Sequence, residues 1–162
     1  MLTIFAAVCK NNALGKNGDM LFYLKDDLAR FKRLTMGKKL LMGKKTFDSL
    51  PGILPGRMHH VASHTSLHIS DKNVIHVTDL YTTLLEFAKL DDEIIIAGGS
   101  KIYAISLPYV QKMELTIIDK HPEADVFFPN FDRAKWQMTT RSDTIYDEKS
   151  NVYYHYETLV KK

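Results

Sequence analysis

Residues 93–103 read Glu-Ile-Ile-Ile-Ala-Gly-Gly-Ser-Lys-Ile-Tyr, and this stretch settles the architecture. Three consecutive isoleucines leave no polar face, so Glu93 to Ala97 is expected to be a strand covered on both sides. It runs straight into Gly98-Gly99 and then into a helical segment over Ser100 to Leu107. The same order recurs outward along the chain. Leu2 to Cys9 is a nearly unbroken apolar run, and Lys39 to Met42 is a short one that ends in Gly43. A helical segment then opens at Lys44 and stops near Leu50-Pro51-Gly52. After the turn Leu54-Pro55-Gly56-Arg57, Met58 to Ser63 is a weaker strand. Val74 to Val77 is another, followed by an amphipathic helix over Leu80 to Leu90 with Leu80, Leu84, Leu85 and Ala88 inward. Strand alternating with helix predicts an α/β domain whose mainly parallel sheet carries helices on both faces. The last third lacks helix. Met113 to Asp119, Trp136 to Arg141 and Val152 to Leu159 are expected strands, the last two forming an antiparallel hairpin around the polar turn Asp147 to Asn151. With no linker or repeat, residues 1–162 are expected to form one domain.

Composition sets wide limits. The 162 residues are 45% hydrophobic and 25% charged with a net charge of +3, ordinary for a globular chain able to bury a core. Lys38-Lys39 and Lys44-Lys45 are pairs, too short to track a phosphate backbone, so no nucleic-acid partner is expected. One cysteine, Cys9, excludes an internal disulfide and fits a reducing compartment. No run is long enough to span a membrane, and the N-terminal apolar stretch lacks the flanks of a signal peptide. A cytoplasmic protein, independent of membranes, is expected.

Two features carry chemistry. Between Lys16 and Thr35 a glycine-containing loop leads into a helix expected from about Lys25, preceded by a loop over Lys10 to Met20. Asp27, Leu28, Phe31 and Thr35 recur at intervals of three and four and share one face of that helix. Acids favour a first helical turn, which accounts for one of Asp26 and Asp27. A carboxylate beside Leu28 and Phe31 is partly buried and needs a partner or a ligand; position alone leaves both open. The second feature is the pair of glycine junctions, Gly43-Lys44 and Gly98-Gly99, each at the carboxyl end of a strand and followed by lysine. Such junctions serve as plain turns or as sites where helix amides meet phosphate. Standard fingerprints are missing. There is no G-x-G-x-x-G, and the glycines at 37 and 43 are spaced wrongly for a Walker loop, with Lys45 where magnesium would need Ser or Thr. Five of the seven histidines lie between 59 and 76, but strand and loop spacing makes His60, His64 and His68 diverge, so no metal site is expected. Arg57, in a rigid Pro-Gly turn, is either a carboxylate clamp, which its guanidinium suits, or an ordinary exposed turn arginine.

In this order and spacing the pieces resemble dihydrofolate reductase over nearly the whole chain. The resemblance rests on Asp27-Leu28 with Phe31, on Met42 to Ser49, on Leu54-Pro55-Gly56-Arg57, on Ile96 to Tyr103, and on Leu115-Thr116 ahead of Asp125 to Pro129. It implies NADPH as cofactor, dihydrofolate as substrate, tetrahydrofolate as product, antifolates as inhibitors, and a monomer. Asp27 is then expected to bind the pterin, with Thr116 joined to it and Phe22 as an aromatic wall. Phe5, Ala6, Ala7, Ala97 and Tyr103 would line the pterin pocket. Leu28, Phe31, Leu50 and Leu54 would grip the aminobenzoyl ring, and Arg57 the glutamate tail. For NADPH, Ala7, Leu14, Gly15 and Met20 would meet the nicotinamide end, while Gly43 to Thr46 and Gly98 to Tyr103 would hold the diphosphate. Lys44, Ser63, His64 and Lys101 would surround the 2′-phosphate. The family also implies a cis peptide between the paired glycines. Burial would raise the Asp27 pKa.

This chain departs from the family in the opening loop. Leu21-Phe22 stands where the family usually has Pro-Trp, and Lys25 where it usually has proline before the acidic pair. Phe22 keeps an aromatic face but has no indole N–H, and two fewer prolines leave the loop less restricted. Slower chemistry or a changed pH profile is expected, together with altered antifolate binding. Two competing functions share this outline: an NADPH-dependent pyrimidine reductase of riboflavin synthesis, and a non-catalytic nucleotide-binding module. The Asp27, Phe31 and Arg57 set speaks against the first, and only Leu21-Phe22 favours the second.

Overall fold

The computed structural model describes residues 1–162. In chain order the elements are β1 (Leu2–Cys9), β2 (Ala13–Lys16), β3 (Asp19–Met20), α1 (Lys25–Thr35), β4 (Lys39–Gly43), α2 (Lys44–Ser49), β5 (Met58–Ala62), β6 (Val74–Val77), α3 (Leu80–Ala88), β7 (Ile94–Gly98), α4 (Ser100–Ser106), β8 (Lys112–Ile118), β9 (Val126–Phe127), β10 (Trp136–Arg141), β11 (Ile145–Asp147) and β12 (Val152–Lys161). The main sheet runs β10-β12-β8-β1-β7-β4-β5-β6, with β11 added to β12. From β8 to β6 every pairing is parallel, and β12, β10 and β11 close one edge antiparallel.

Side-chain alternation builds two cores on this sheet. Leu2, Ile4, Ala6 and Val8 of β1, Leu41 of β4, and Ile94 and Ile96 of β7 meet Leu84 and Phe87 of α3 and Ile102 of α4. On the other face Phe5, Leu40, Met42 and Ile95 pack with Phe47 of α2, and Phe31 and Leu34 of α1 lean on them. Central strands buried on both sides are why the sequence shows unbroken apolar runs. The chain leaves β1 to reach β4 on the β7 side, and leaves β7 to reach β8 on the β1 side. The two connections therefore part at the carboxyl ends of β1 and β7, where an open parallel sheet leaves a crevice.

Four local expectations are revised. The Lys10–Met20 loop contains β2 and β3, which form a small sheet with β9 in the order β3-β2-β9; the pairing is made by backbone and leaves no side-chain pattern. In α3, Phe87 points inward and Leu85 is 51% exposed. Leu84 and Phe87 share the stripe that starts at Leu80, whereas Leu85 lies well round the helix. The helix ends at Ala88, and α4 gives way to a 3₁₀ turn at Leu107–Tyr109. The turn before β12 is closed by β11, while β10 pairs with the distal half of β12, its register shifting between Met138 and Thr140. Asn151, at φ 52°, takes the left-handed position of that turn.

Candidate active site

Helix α1 presents the acid. Asp26 and Asp27 lie in its first turn and Lys32 and Arg33 in its last, both favourable to the helix dipole, and buried Leu24 fixes the entry. The two acids have separate fates. Asp26 is exposed and accepts from the Tyr154 hydroxyl at 3.4 Å. Asp27 is 5% exposed against the sheet, where the Thr116 hydroxyl donates to its Oδ1 at 2.5 Å. No protein hydrogen bond is made to Oδ2. Burial raises the Asp27 pKa above the usual carboxylate range; the Thr116 bond and the nearby Arg30 charge oppose this without cancelling it.

From Asp27 an apolar cleft runs along α1. Phe31 meets Phe5 edge-on at 5.1 Å, and Leu50, Leu54 and Ala97 pack against the same cluster. Leu28, at 46% exposure, forms the outer lip. Two of the predicted lining residues, Ala6 and Tyr103, belong to the core on the opposite face, Ala6 because strand alternation turns its side chain there. At the far end sits Arg57, 6% exposed and braced on one side: Nε donates to the Pro55 carbonyl at 3.0 Å and Nη1 to Thr35 Oγ1 at 3.2 Å. Thr35 is itself fixed by donating to the Phe31 carbonyl at 2.6 Å. The remaining guanidinium donors are left for a ligand. The Tyr103 hydroxyl is already committed: buried, it gives its proton to the Phe5 carbonyl at 2.7 Å, and burial pushes its pKa well up. Phe22 and Ala7 are half-buried, packed against the cluster built on Leu24, Ile118 and Tyr154 beside Asp27.

The two glycine junctions meet across the crevice. Helices α2 and α4 begin at Gly43 and Gly99 with no side-chain cap, so their first amides are unpaired. A Cβ on Gly99 would lie 3.5 Å from Thr46 Oγ1, one on Gly43 would lie 3.3 Å from Ile102, and one on Gly98 would lie 3.2 Å from the Tyr103 hydroxyl. Gly98, at φ 113°, takes a backbone conformation that favours glycine, and this close-set pair of junctions, floored by free amides, fits a dinucleotide diphosphate. The Gly98-Gly99 peptide is cis. Lys45 and Lys101 are exposed beside Thr46 and Ser100, and Lys44 pairs with Asp48 at 2.7 Å on the helix surface. An exposed pair of this kind is weak enough to exchange for a phosphate. At the end of β5, Ser63 folds its hydroxyl onto Thr65 while His64 is exposed, and His76 of β6 bonds the Ser63 carbonyl at 2.8 Å. Leu14, Gly15 and Met20 lie on the β2-β3 ribbon, held by Asp125, the residue just before β9, whose Oδ2 accepts from Asn17 N at 3.0 Å and whose amide donates to the Gly15 carbonyl at 3.1 Å.

Arg30, Tyr156 and His76 stand at this crevice without having been singled out in the sequence. Arg30 sits three residues from Asp27, a spacing that could have found it; the other two arrive through strand register. Cys9 and the histidines of β5 lie in the core. The Cys9 thiol is buried, its pKa pushed up to about 11, and His59 is fully buried between the Leu54 amide and the Asn73 carbonyl. No group of three or more His, Cys, Asp or Glu side chains is arranged to hold a metal.

A family model described as dihydrofolate reductase matches residues 1–161. The dihydrofolate reductase of Bacillus subtilis (strain 168) is 32% identical over 160 residues, covering 99% of this chain and 93% of that protein. That of Neisseria gonorrhoeae is 34% identical over 153 residues, covering 94% and 93%. Among solved structures, dihydrofolate reductase from Enterococcus faecalis complexed with NADP(H) and RAB-propyl superposes with a TM-score of 0.84 at 28% identity, covering 100% of this chain and 96% of that one. No helix is long and apolar enough to cross a membrane.

Proposed function

The chain belongs to the dihydrofolate reductase family and catalyses the NADPH-dependent reduction of dihydrofolate to tetrahydrofolate, and on that premise we propose that Asp27 is the group through which the crevice binds the pterin. The observation that carries this assignment is one buried carboxylate with one oxygen held by Thr116 and the other unpartnered, at the head of an apolar cleft that ends in Arg57. A pterin offers an amino group and a ring N–H side by side, which two carboxylate oxygens match. The cleft of Phe5, Phe31, Leu50 and Leu54 takes the aminobenzoyl ring, with Leu28 closing over it. Arg57 takes the glutamate carboxylate. The same two ends argue against a riboflavin-pathway pyrimidine reductase, whose substrate has no glutamate tail for Arg57.

NADPH supplies hydride chemistry when bound, delivering to pterin C6. The residues suited to hold it are the amides that follow Gly43 and Gly99 for the diphosphate, Lys44, Lys45, Ser63, His64 and Lys101 for the 2′-phosphate, and Ala7, Leu14, Gly15 and Met20 for the nicotinamide end. The rest of the work is positional. Asp27 and Thr116 fix the pterin edge, Phe5 and Phe31 set its plane, and Tyr103 fixes β1 through the Phe5 carbonyl. Phe22 and Leu21 cover the outer side and limit water. Tyr103 has its proton committed and its acidity suppressed by burial, so N5 takes its proton from solvent while Asp27 polarises the ring. The whole chain acts as one domain, as a cytoplasmic monomer.

The test is NADPH oxidation with dihydrofolate, followed by absorbance, alongside size-exclusion chromatography with light scattering. Turnover that depends on both compounds supports the assignment. NADPH binding without dihydrofolate turnover would overturn it and point to a nucleotide-binding module.

A further inference from the structure

Below Asp27 the sheet carries a second layer of side chains that is charged. Thr116 and Glu114 are two residues apart on β8 and face α1 together; on β12 their register partners are Tyr156 and Thr158. The upper pair flanks Asp27, and the lower pair flanks Arg30, which lies three residues on along α1 and therefore on the same side of the helix. Arg30 is fixed tightly. Its Nη2 donates to Glu114 Oε2 at 2.7 Å, and its guanidinium carbon lies 4.3 Å from the Tyr156 ring centroid and 5.6 Å from that of Phe5. Its Nη1 is buried with no hydrogen-bond partner in the protein.

Glu114 does not neutralise this cation alone. It is shared with Lys112 at 3.1 Å and accepts from Thr158 at 2.8 Å. Lys112 also reaches Glu93 at 3.7 Å, and Glu93 holds Lys38 at 2.5 Å. The network beneath the crevice thus has three cations to two carboxylates, and its uncompensated donor is on Arg30, the member nearest Asp27. A guanidinium is suited to such a place, since it stays charged when buried and stacks on aromatic rings.

We propose that Arg30, anchored by Glu114 and Tyr156, is a positioning residue that keeps the pterin-binding carboxylate ionised, and so sets the pH at which the enzyme binds substrate and loses turnover. The proposal rests on the assignment of Asp27 made above. Without a cation below it, a carboxylate this buried would favour its neutral form. The other groups around Asp27 cannot replace Arg30. Tyr103 on α4 and Tyr156 on β12 are neutral phenols at working pH, Asp26 and Tyr154 are turned toward each other, β1 contributes only Phe5 and Ala7 here, and Thr116 on β8 carries no charge. Arg30 therefore supplies the only fixed charge of opposite sign in the layer next to Asp27.

The experiment compares pH profiles of single-turnover hydride transfer and of binding of a diaminopyrimidine, read by protein fluorescence, in Arg30→Met, Arg30→Lys, Glu114→Gln and Asp27→Asn. Arg30→Met moves the inflection of both profiles to higher pH by about one unit, the effect of a partly compensated unit charge a helical turn away at an effective dielectric near 20. Arg30→Lys keeps the charge and restores most of the wild-type position. Glu114→Gln leaves the cations in larger excess and moves the inflection down. Opposite displacements by neighbouring substitutions are not produced by a merely structural role. If Arg30→Met and Glu114→Gln lower the melting temperature yet leave both inflections where they are, the proposal is wrong. If Asp27→Asn retains the wild-type inflection, the titrating group is another one, which overturns the assignment of Asp27 and this proposal with it.

Discussion

Thr116→Val exchanges a hydroxyl for a methyl of nearly the same shape at a fully buried position, and removes the one protein hydrogen bond to Asp27. A hydrogen bond to an ionised acceptor is worth about 1.5–3 kcal/mol, whereas one to a neutral acceptor is worth about 0.5–1.5 kcal/mol. The cost of the substitution is therefore about 2 kcal/mol where Asp27 is charged and about 1 kcal/mol where it is protonated. The sign follows from linkage. Asp27 has a folded-state pKa above its unfolded value, so the folded protein binds that proton more tightly and loses stability as pH rises through the folded value. Losing the Thr116 bond raises that value further, and the variant falls away from wild type more steeply. Urea unfolding of both proteins across the acid-to-neutral range, compared at each pH, should show a gap that widens toward neutral pH by about 1 kcal/mol, since other titrating groups cancel in the difference. A gap that is constant with pH, or below about 0.5 kcal/mol throughout, would refute the reasoning that the hydroxyl stabilises the charged form of Asp27.

Arg57→Leu removes a braced guanidinium whose free donors we assign to the glutamate tail, and should raise KM for dihydrofolate roughly tenfold to hundredfold with little change in kcat; binding of a pterin that lacks the tail should be unaffected, and equal weakening of both ligands would contradict the role. Phe22→Trp restores the indole N–H that this loop lacks and should alter the single-turnover hydride rate or its pH dependence; identical profiles would show that the Phe22 substitution is silent. Asp125→Ala removes the acceptor for Asn17 N and should raise hydrogen exchange across residues 15–20 and weaken NADPH binding severalfold, by about 1 kcal/mol. Unchanged exchange would mean that the backbone pairing of β2 with β9 holds the ribbon alone.

Much of this molecule is written in local pattern. Ile94, Ile95 and Ile96 are apolar on every side because β7 is covered on every side, and the glycines at 43, 98 and 99 mark the places where helix and strand join. Asp27 stood out because a carboxylate on the Phe31 face of a helix has to be explained. What escaped the sequence depends on partners far along the chain. The β2–β9 pairing is made by backbone groups, so no residue type announces it. Tyr156 reaches the crevice only because β12 aligns it with Thr116, and His76 because β6 lies beside β5. Arg30 is a case between the two: its spacing from Asp27 is visible, but its burial depends on Glu114 and Tyr156, 84 and 126 residues further on. The family resemblance implies Ala6 beside Phe5 and Ala7 in the pocket, but the alternation of a strand turns its side chain away.

The role of Asp27 is the centre of this account, and the most direct test is the single-turnover rate of hydride transfer in Asp27→Asn, with NADPH and dihydrofolate both saturating at neutral pH. Asparagine keeps the volume and one acceptor but can neither carry charge nor titrate, so the rate should fall by roughly a hundredfold or more while NADPH affinity and fold are retained. A rate within a few-fold of wild type, with the wild-type pH dependence intact, would contradict the assignment.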